Sequence, residues 1–515
     1  MEKIEKWICA KLSENNGQLK KSFLFTYFWG LIAHGYLFLS NSITHDSIDE
    51  FINSSDMMAA KFGLGRIFAP LVYALRGPIS APWWLGLLML LWISLAVYLV
   101  FRLFDIRENW LMVLTAGIMT VNMSLIPLVA TYIHDVDCYG AALFAAVLAV
   151  FLWRKGGKSA LFGVLSVVAT LGLYQSYVSI TITLVMMVSI LELYQGKPWK
   201  EVFFPGLKAA AMVIAGALVY SVLLKAVPVL AGLDLTEGDY NSLDSMLRLT
   251  PVGILKLIGT TWISTVFSLV TVTSGLPLYV SAAVQGILLL ICVTAVTMKL
   301  FSRELGVGQK TLLTVLCICL PVCMDVARIL SGGISHDLMH YALWLVYLLA
   351  LLLLRGQKKR EKAQMLAAAL ICLNLFNWVQ TANVVYTGKR FIQDANLSLF
   401  TRIVSDLEGT EGYVPGETPI VFIGEPGLSL TGLPLQYQKY YTTGFDTGFA
   451  IGTPTQDHFQ CYFHYVLMYP GVVASDEVME SYIWRQDVMD MPEYPQSGSI
   501  AMLDGVVVVK LGVYR

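Results

Sequence analysis

The sequence predicts a mainly α-helical, polytopic membrane protein of about eleven transmembrane helices. Outer interfacial helices and a small C-terminal α/β domain complete it. Three observations predict this class. Of 515 residues, 56% are apolar and only 14% charged, where a soluble globular chain carries roughly 25% charged residues. Apolar runs of about the twenty residues needed to cross a hydrocarbon core recur along most of the chain. Beyond residue 383 these runs shorten, and Gly and Pro return. The chain thus divides into an N-terminal cytoplasmic segment (1–21), a transmembrane domain (22–382) and an extracytoplasmic α/β domain (383–515).

The net charge of −1 argues against a nucleic-acid-binding surface. The opening segment, MEKIEKWICAKLSENNGQLKK, is amphipathic and lacks a small-residue cleavage site after a short apolar core. It reads as retained. The spans follow at 22–40, 82–103, 110–131, 138–153, 159–174, 177–194, 205–226, 276–298, 311–330, 338–354 and 364–382. Residues 47–63 are amphipathic and read as an interfacial helix. The run RIFAPLVYALRG reads as a second such helix or a shallow re-entrant piece, and 251–271 looks similar.

Basic residues test the threading. Lys20 and Lys21, Arg102 and Arg107, Arg154 to Lys158, Lys197 and Lys200, Lys299 to Lys310, and RGQKKREK at 355–362 fall in alternate connections. Eleven spans put all of them on the cytoplasmic side, with the N-terminus inside and the C-terminus outside. The other connections carry few Lys or Arg. In them three of the chain's seven histidines stand immediately before an aspartate: His45-Asp46, His134-Asp135 and His336-Asp337.

In the tail, TPIVFIGEPG reads as a buried strand and a turn, and SLFTRIVSDLE as a helix. GSIAMLDGVVVVKLG reads as two strands joined by Asp-Gly. Seven of the eight cysteines lie in or beside apolar runs or in the N-terminal segment. They read as buried small hydrophobes, without the spacing of a zinc site.

A carboxylate at a bilayer edge is costly unless hydrated or used. Asp46, Asp135 and Asp137 at one face suit a proton or cation pathway, or general-base activation of an acceptor hydroxyl. Arg66, in GLGR, favours the second. A guanidinium fork fits phosphate oxygens and stabilises charge developing on a phosphate leaving group. Arg328 and Lys225 add cations at the same face, where the bland alternative is snorkelling to headgroups. A base beside a phosphate clamp describes a transferase using a lipid-linked phosphate donor.

Taken together, HDSIDEF, GLGRIFAPL, IHDVDCYGAALFAAVLAVFL and ATLGLYQSYVSI resemble the GtrII-like family of bacterial membrane glucosyltransferases, which has the GT-C architecture. The resemblance implies a sugar, typically glucose, carried on undecaprenyl phosphate. It implies an envelope glycan acceptor, such as an O-antigen or teichoic acid, and transfer at the outer face of the bacterial cytoplasmic membrane with inversion. The catalytic acid of the first outer loop maps to Asp46, with Asp49 and Glu50 as fallbacks or sugar contacts. His45 then orients Asp46 or meets the donor phosphate, and Arg66, Arg328 and Lys225 bind that phosphate. His134, Asp135, Asp137 and Gln175 bind sugar, and His336 and Asp337 serve the acceptor side. The cofactor stays open: Asp135 and Asp137 would suit Mg2+ or Mn2+, while arginine alone can serve a lipid monophosphate leaving group. A donor made on the inner face implies a donor synthase and a flippase as functional partners. The alternatives are a polytopic transporter or lipid-linked sugar flippase, for which Asp325 and Arg328 are the ionisable residues nearest a midplane.

Overall fold

The structure, a computed structural model, describes residues 2–41, 61–77, 81–232, 250–271, 277–357, 360–425 and 455–512, with backbone alone for residues 2–16 and 251. It is mainly helical. The first helices are α1 (Glu2–Leu39), α2 (Ala69–Arg76), α3 (Pro82–Leu103), α4 (Asn109–Thr120) and α5 (Leu125–Thr131). There follow α6 (Val136–Lys155), α7 (Ser159–Leu173), α8 (Val178–Tyr194), α9 (Trp199–Leu230) and α10 (Pro251–Val270). After them come α11 (Leu278–Phe301), α12 (Val307–Met324), α13 (Val326–Leu330), α14 (Leu345–Leu354) and α15 (Glu361–Glu408).

Nine helical segments among the described residues are long and apolar enough to cross a membrane: α1 from Gly17, α3, Ile133–Lys155, Gln175–Tyr194, α9, Val252–Val270, α11, α12 and α15. The bent pair α4–α5 makes up to ten, and α7 and Tyr341–Leu354 are shorter apolar helices. Each of the eleven expected runs is therefore helical. Residues 251–270, read as interfacial or re-entrant, form one helix that by length and composition would also reach across a membrane, with only Lys256 interrupting its apolar run. Thr250 caps this helix, accepting a hydrogen bond from Gly253 N at 3.1 Å. Residues 364–382 and the SLFTRIVSDLE stretch, expected as separate helices, are one helix, α15. Gly388 alone does not break it, in line with the cost of about 1 kcal/mol for one helical glycine. The segment 42–60 lies outside the described residues, so most of the first expected interfacial helix does too.

The described residues form two compact units. The first draws on residues up to 38, 61–128 and 134–383, the second on 39–41, 129–133 and the chain from 384. In the first unit all six basic connections meet at one end of the helices. Lys21 Nζ donates to Asn109 Oδ1 at 2.8 Å. Arg355 reaches Glu108 Oε1 at 3.0 Å and the carbonyls of Phe104 and Asp105 at 3.0 and 2.7 Å. Arg154 and Lys197 both pair with Glu192. Gln309 donates to the carbonyls of Gly196 and Lys197 at 2.8 and 2.9 Å. Lys299 lies 5.6 Å over the Tyr194 ring, whose hydroxyl takes hydrogen bonds from Gln357 and Arg360. The same-side grouping expected from charge alone is thus a physical cluster.

In the second unit a four-stranded sheet has the order β2-β1-β4-β3: β1 (Pro419–Ile423), β2 (Val472–Val473), β3 (Ile500–Leu503) and β4 (Val506–Lys510). Strand β1 is parallel to β2 and β4, and β3 is antiparallel to β4. Asp504 and Gly505 join β3 to β4 with φ of 52° and 82°, the left-handed pair a two-residue hairpin requires. Alternation sends Phe422, Val507 and Val509 to one face, against Phe400 and Ile403 of α15. Val421, Ile423 and Val508 face Met479, Tyr482 and Ile483 on the other.

Candidate functional site

The GLGR motif is the end of a helix. Arg66 N donates to Lys61 O and Gly65 N to Phe62 O, both at 2.8 Å. This pair of bonds is the Schellman termination, which places a left-handed residue just past the helix. Gly65 fills that position with φ of 73°, and a Cβ there would strike Gln175 Nε2 and Tyr220 OH. The carbonyls left over at the helix end are satisfied from distant helices. Gln175 Nε2 donates to Leu64 O at 2.6 Å and Tyr220 OH to Gly65 O at 2.9 Å. Phe68 N donates to Gly172 O at 2.9 Å, which fastens the strap to the end of α7.

So fixed, Arg66 points at the start of α6. Its guanidinium carbon sits 5.3 Å from the Tyr139 ring centre and 5.6 Å from that of Tyr174. Its Nη1 is 3.6 Å from Asp135 Oδ2. Lys61 Nζ pairs with the same oxygen, and Tyr73 OH donates to Asp135 Oδ1. Three residues on from Tyr73, Arg76 stacks 4.3 Å over its ring. Arg76 Nη1 donates to Asp137 Oδ1 at 2.8 Å and to His134 O at 2.7 Å. Among the described residues three cations face two buried carboxylates, in a site of low exposure where electrostatic attraction is strong. Asp137 Oδ2 has no hydrogen-bond partner among the described residues.

A row of tyrosines leads away from Arg66. Tyr139 meets Tyr174 edge to face at 4.7 Å, Tyr174 meets Tyr177 at 4.9 Å, and Tyr177 lies 5.4 Å from Tyr341. Next to Tyr341 a second polar group assembles. The span α12 ends at Met324, and Asp325 stands at the break before α13. Asp325 Oδ2 lies 3.4 Å from Arg328 Nε and 3.5 Å from His340 Nε2. Ser335 Oγ accepts from Arg328 Nε and hydrogen-bonds His340 Nε2, each at 3.0 Å. Asp337 Oδ1 is 3.9 Å from His340 Nδ1.

The sequence-expected residues divide accordingly. His45, Asp46, Asp49 and Glu50 lie outside the described residues. Arg66, His134, Asp135, Asp137 and Gln175 come together at the first cluster. Gln175 spends its amide nitrogen on the strap that carries Arg66 and on Tyr220 OH, 3.1 Å away. Arg328, His336 and Asp337 belong to the second cluster. Lys225 is exposed on α9, five residues beyond Tyr220. Among the described residues no group of three or more His, Cys, Asp or Glu side chains is placed to hold a metal ion, and Asp135 and Asp137 face cations instead. Sequence reasoning missed Lys61, Tyr73, Arg76, Tyr220, Ser335 and His340. Helical spacing carried a signal for two of them, since Tyr73 and Arg76 share a face at i and i+3.

A family model described as Glucosyl transferase GtrII matches residues 35–330, more than half of the chain. No curated protein and no solved structure matches it.

Proposed function

The chain belongs to the GtrII glucosyltransferase family, and from that premise we propose that it moves glucose from undecaprenyl phosphate to an envelope glycan. In this reading transfer takes place at the outer face of the bacterial cytoplasmic membrane. The observation that carries it is the first cluster. Among the described residues Lys61, Arg66 and Arg76 gather at one site around Asp135 and Asp137, and such a concentration of cations suits a departing phosphate monoester. By the positive-inside rule, the end where the basic connections gather is cytoplasmic. The Arg66 cluster belongs to connections that carry the histidine–aspartate pairs.

The reaction follows from the charges. An acceptor hydroxyl gives its proton to a carboxylate, for which Asp46 is our assignment, oriented by His45, with Asp49 and Glu50 as alternatives. The hydroxyl oxygen attacks the anomeric carbon as the bond from that carbon to the phosphate oxygen breaks. Polyprenyl phosphate leaves with one more negative charge, and the anomeric centre inverts. A phosphate leaving group needs charge stabilisation rather than a strong general acid. Arg66 and Lys61 supply it by exchanging part of their attraction to Asp135 for phosphate oxygens. Tyr174 and Tyr139 keep the guanidinium plane in place. Asp137 Oδ2 and His134 are the nearest groups for sugar hydroxyls. A donor synthase and a flippase would supply the lipid-linked sugar from the inner leaflet.

The test is direct. Purified protein in lipid nanodiscs is incubated with glucosyl-phosphoryl-undecaprenol and envelope glycan. Loss of lipid-linked glucose, with an inverted linkage on the glycan, supports the reading. Movement of a solute across vesicles without donor consumption would instead establish the transporter alternative.

A further inference from the structure

Within the first unit, the second polar cluster has a use of its own. Asp325 is 2% exposed and turns only one carboxylate oxygen, Oδ2, toward Arg328 and His340. The other, Oδ1, is buried without a hydrogen-bond partner among the described residues. A buried carboxylate oxygen left unpaired is costly, so such atoms mark places where a ligand or an ordered water donates a hydrogen bond. The surroundings narrow the ligand. A metal ion is disfavoured by the Arg328 guanidinium beside the carboxylate, and among the described residues no group of three or more His, Cys, Asp or Glu is placed to hold one. An anion is disfavoured by Asp325 itself and by Asp337, 3.9 Å from His340. A neutral polyol suits it, because one hydroxyl can donate to Asp325 Oδ1 while a neighbouring oxygen accepts from Arg328.

The position fits as well. Helix α13 packs against the Gln175–Tyr177 turn, whose Gln175 fastens the Arg66 strap. Tyr341, next to His340, continues the row Tyr139–Tyr174–Tyr177. The two clusters are therefore neighbours on either side of aromatic rings, and sugars pack well against such surfaces.

We propose that Asp325, braced by Arg328, Ser335 and His340, is the subsite that takes hydroxyls of the acceptor glycan. This rests on the transferase reading for the identity of the ligand, and its test is made without donor. Full-length protein in detergent is titrated with fluorophore-labelled polysaccharide extracted from the envelope of the source cell. Wild type binds, and Asp325→Asn weakens binding about tenfold, the scale of one charge-assisted hydrogen bond. Ser335→Ala keeps the carboxylate but removes the hydroxyl joining Arg328 to His340. It weakens binding about threefold, and it serves if Asp325→Asn elutes as aggregate. Unchanged binding in both folded variants, or no binding by wild type, overturns the proposal and leaves Oδ1 as a hydrated oxygen. Donor consumption by wild type is followed in parallel. Its absence would overturn the transferase reading, while glycan binding that depends on Asp325 would still stand.

Discussion

Gln175 and Leu64 lie 111 positions apart and are joined by a 2.6 Å hydrogen bond from the side-chain amide to the main-chain carbonyl. The bond ties the helix end that bears Arg66 to the turn between α7 and α8. Gln175→Leu removes it and leaves a carbonyl with one partner fewer. We expect kcat/KM for the lipid donor to fall about tenfold, the scale of a lost hydrogen bond, with elution in detergent unchanged. Wild-type kinetics in that variant would show that the strap holds itself.

Gly65 is the sharper point of failure. Gly65→Ala must place a Cβ at φ of 73°, a conformation that costs roughly 1–2 kcal/mol in a non-glycine residue. It also drives that carbon into Gln175 and Tyr220. Both activity and thermal stability should drop together, and a variant that kept full activity would contradict the Schellman geometry.

Arg66 should tolerate no conservative exchange. Arg66→Ala is expected to lower kcat by about 10²–10³, the range for losing one transition-state donor. Arg66→Lys should recover little of it, because an ammonium cannot stack its plane between Tyr139 and Tyr174. Rescue to near wild type by lysine would mean that only the charge matters.

Arg76 and Asp137 form a pair buried on both sides. Asp137→Ala strands the guanidinium, and breaking a buried pair in this way costs about 3–5 kcal/mol. The double replacement Arg76→Met with Asp137→Leu should recover much of the stability. If it also restores donor turnover, the pair is structural. Restored stability without turnover places Asp137 at the sugar.

Much of this was legible because charge and hydropathy act over whole helices. The apolar runs and the grouping of Lys21, Arg107, Arg154, Lys197, Lys310 and Arg355 needed no tertiary information. The Asp504–Gly505 hairpin was legible from two residues whose left-handed φ has few alternatives. Lys61 and Arg76 were not legible. Their role depends on which carboxylate the folded chain brings opposite, and Asp135 lies 74 residues from Lys61. Gln175 was noticed as a polar residue between apolar runs, but its amide proved to be spent on main chain.

The ring of cross-links among Asn109, Glu108, Arg355, Tyr194, Glu192 and Gln309 has a mechanical meaning. A carrier must part its helices first at one mouth and then at the other, so neither mouth can be permanently laced. Here one mouth is laced by side chains from all six of its loops, many of them gripping main-chain oxygens. Opening the bundle at that mouth would break these bonds together.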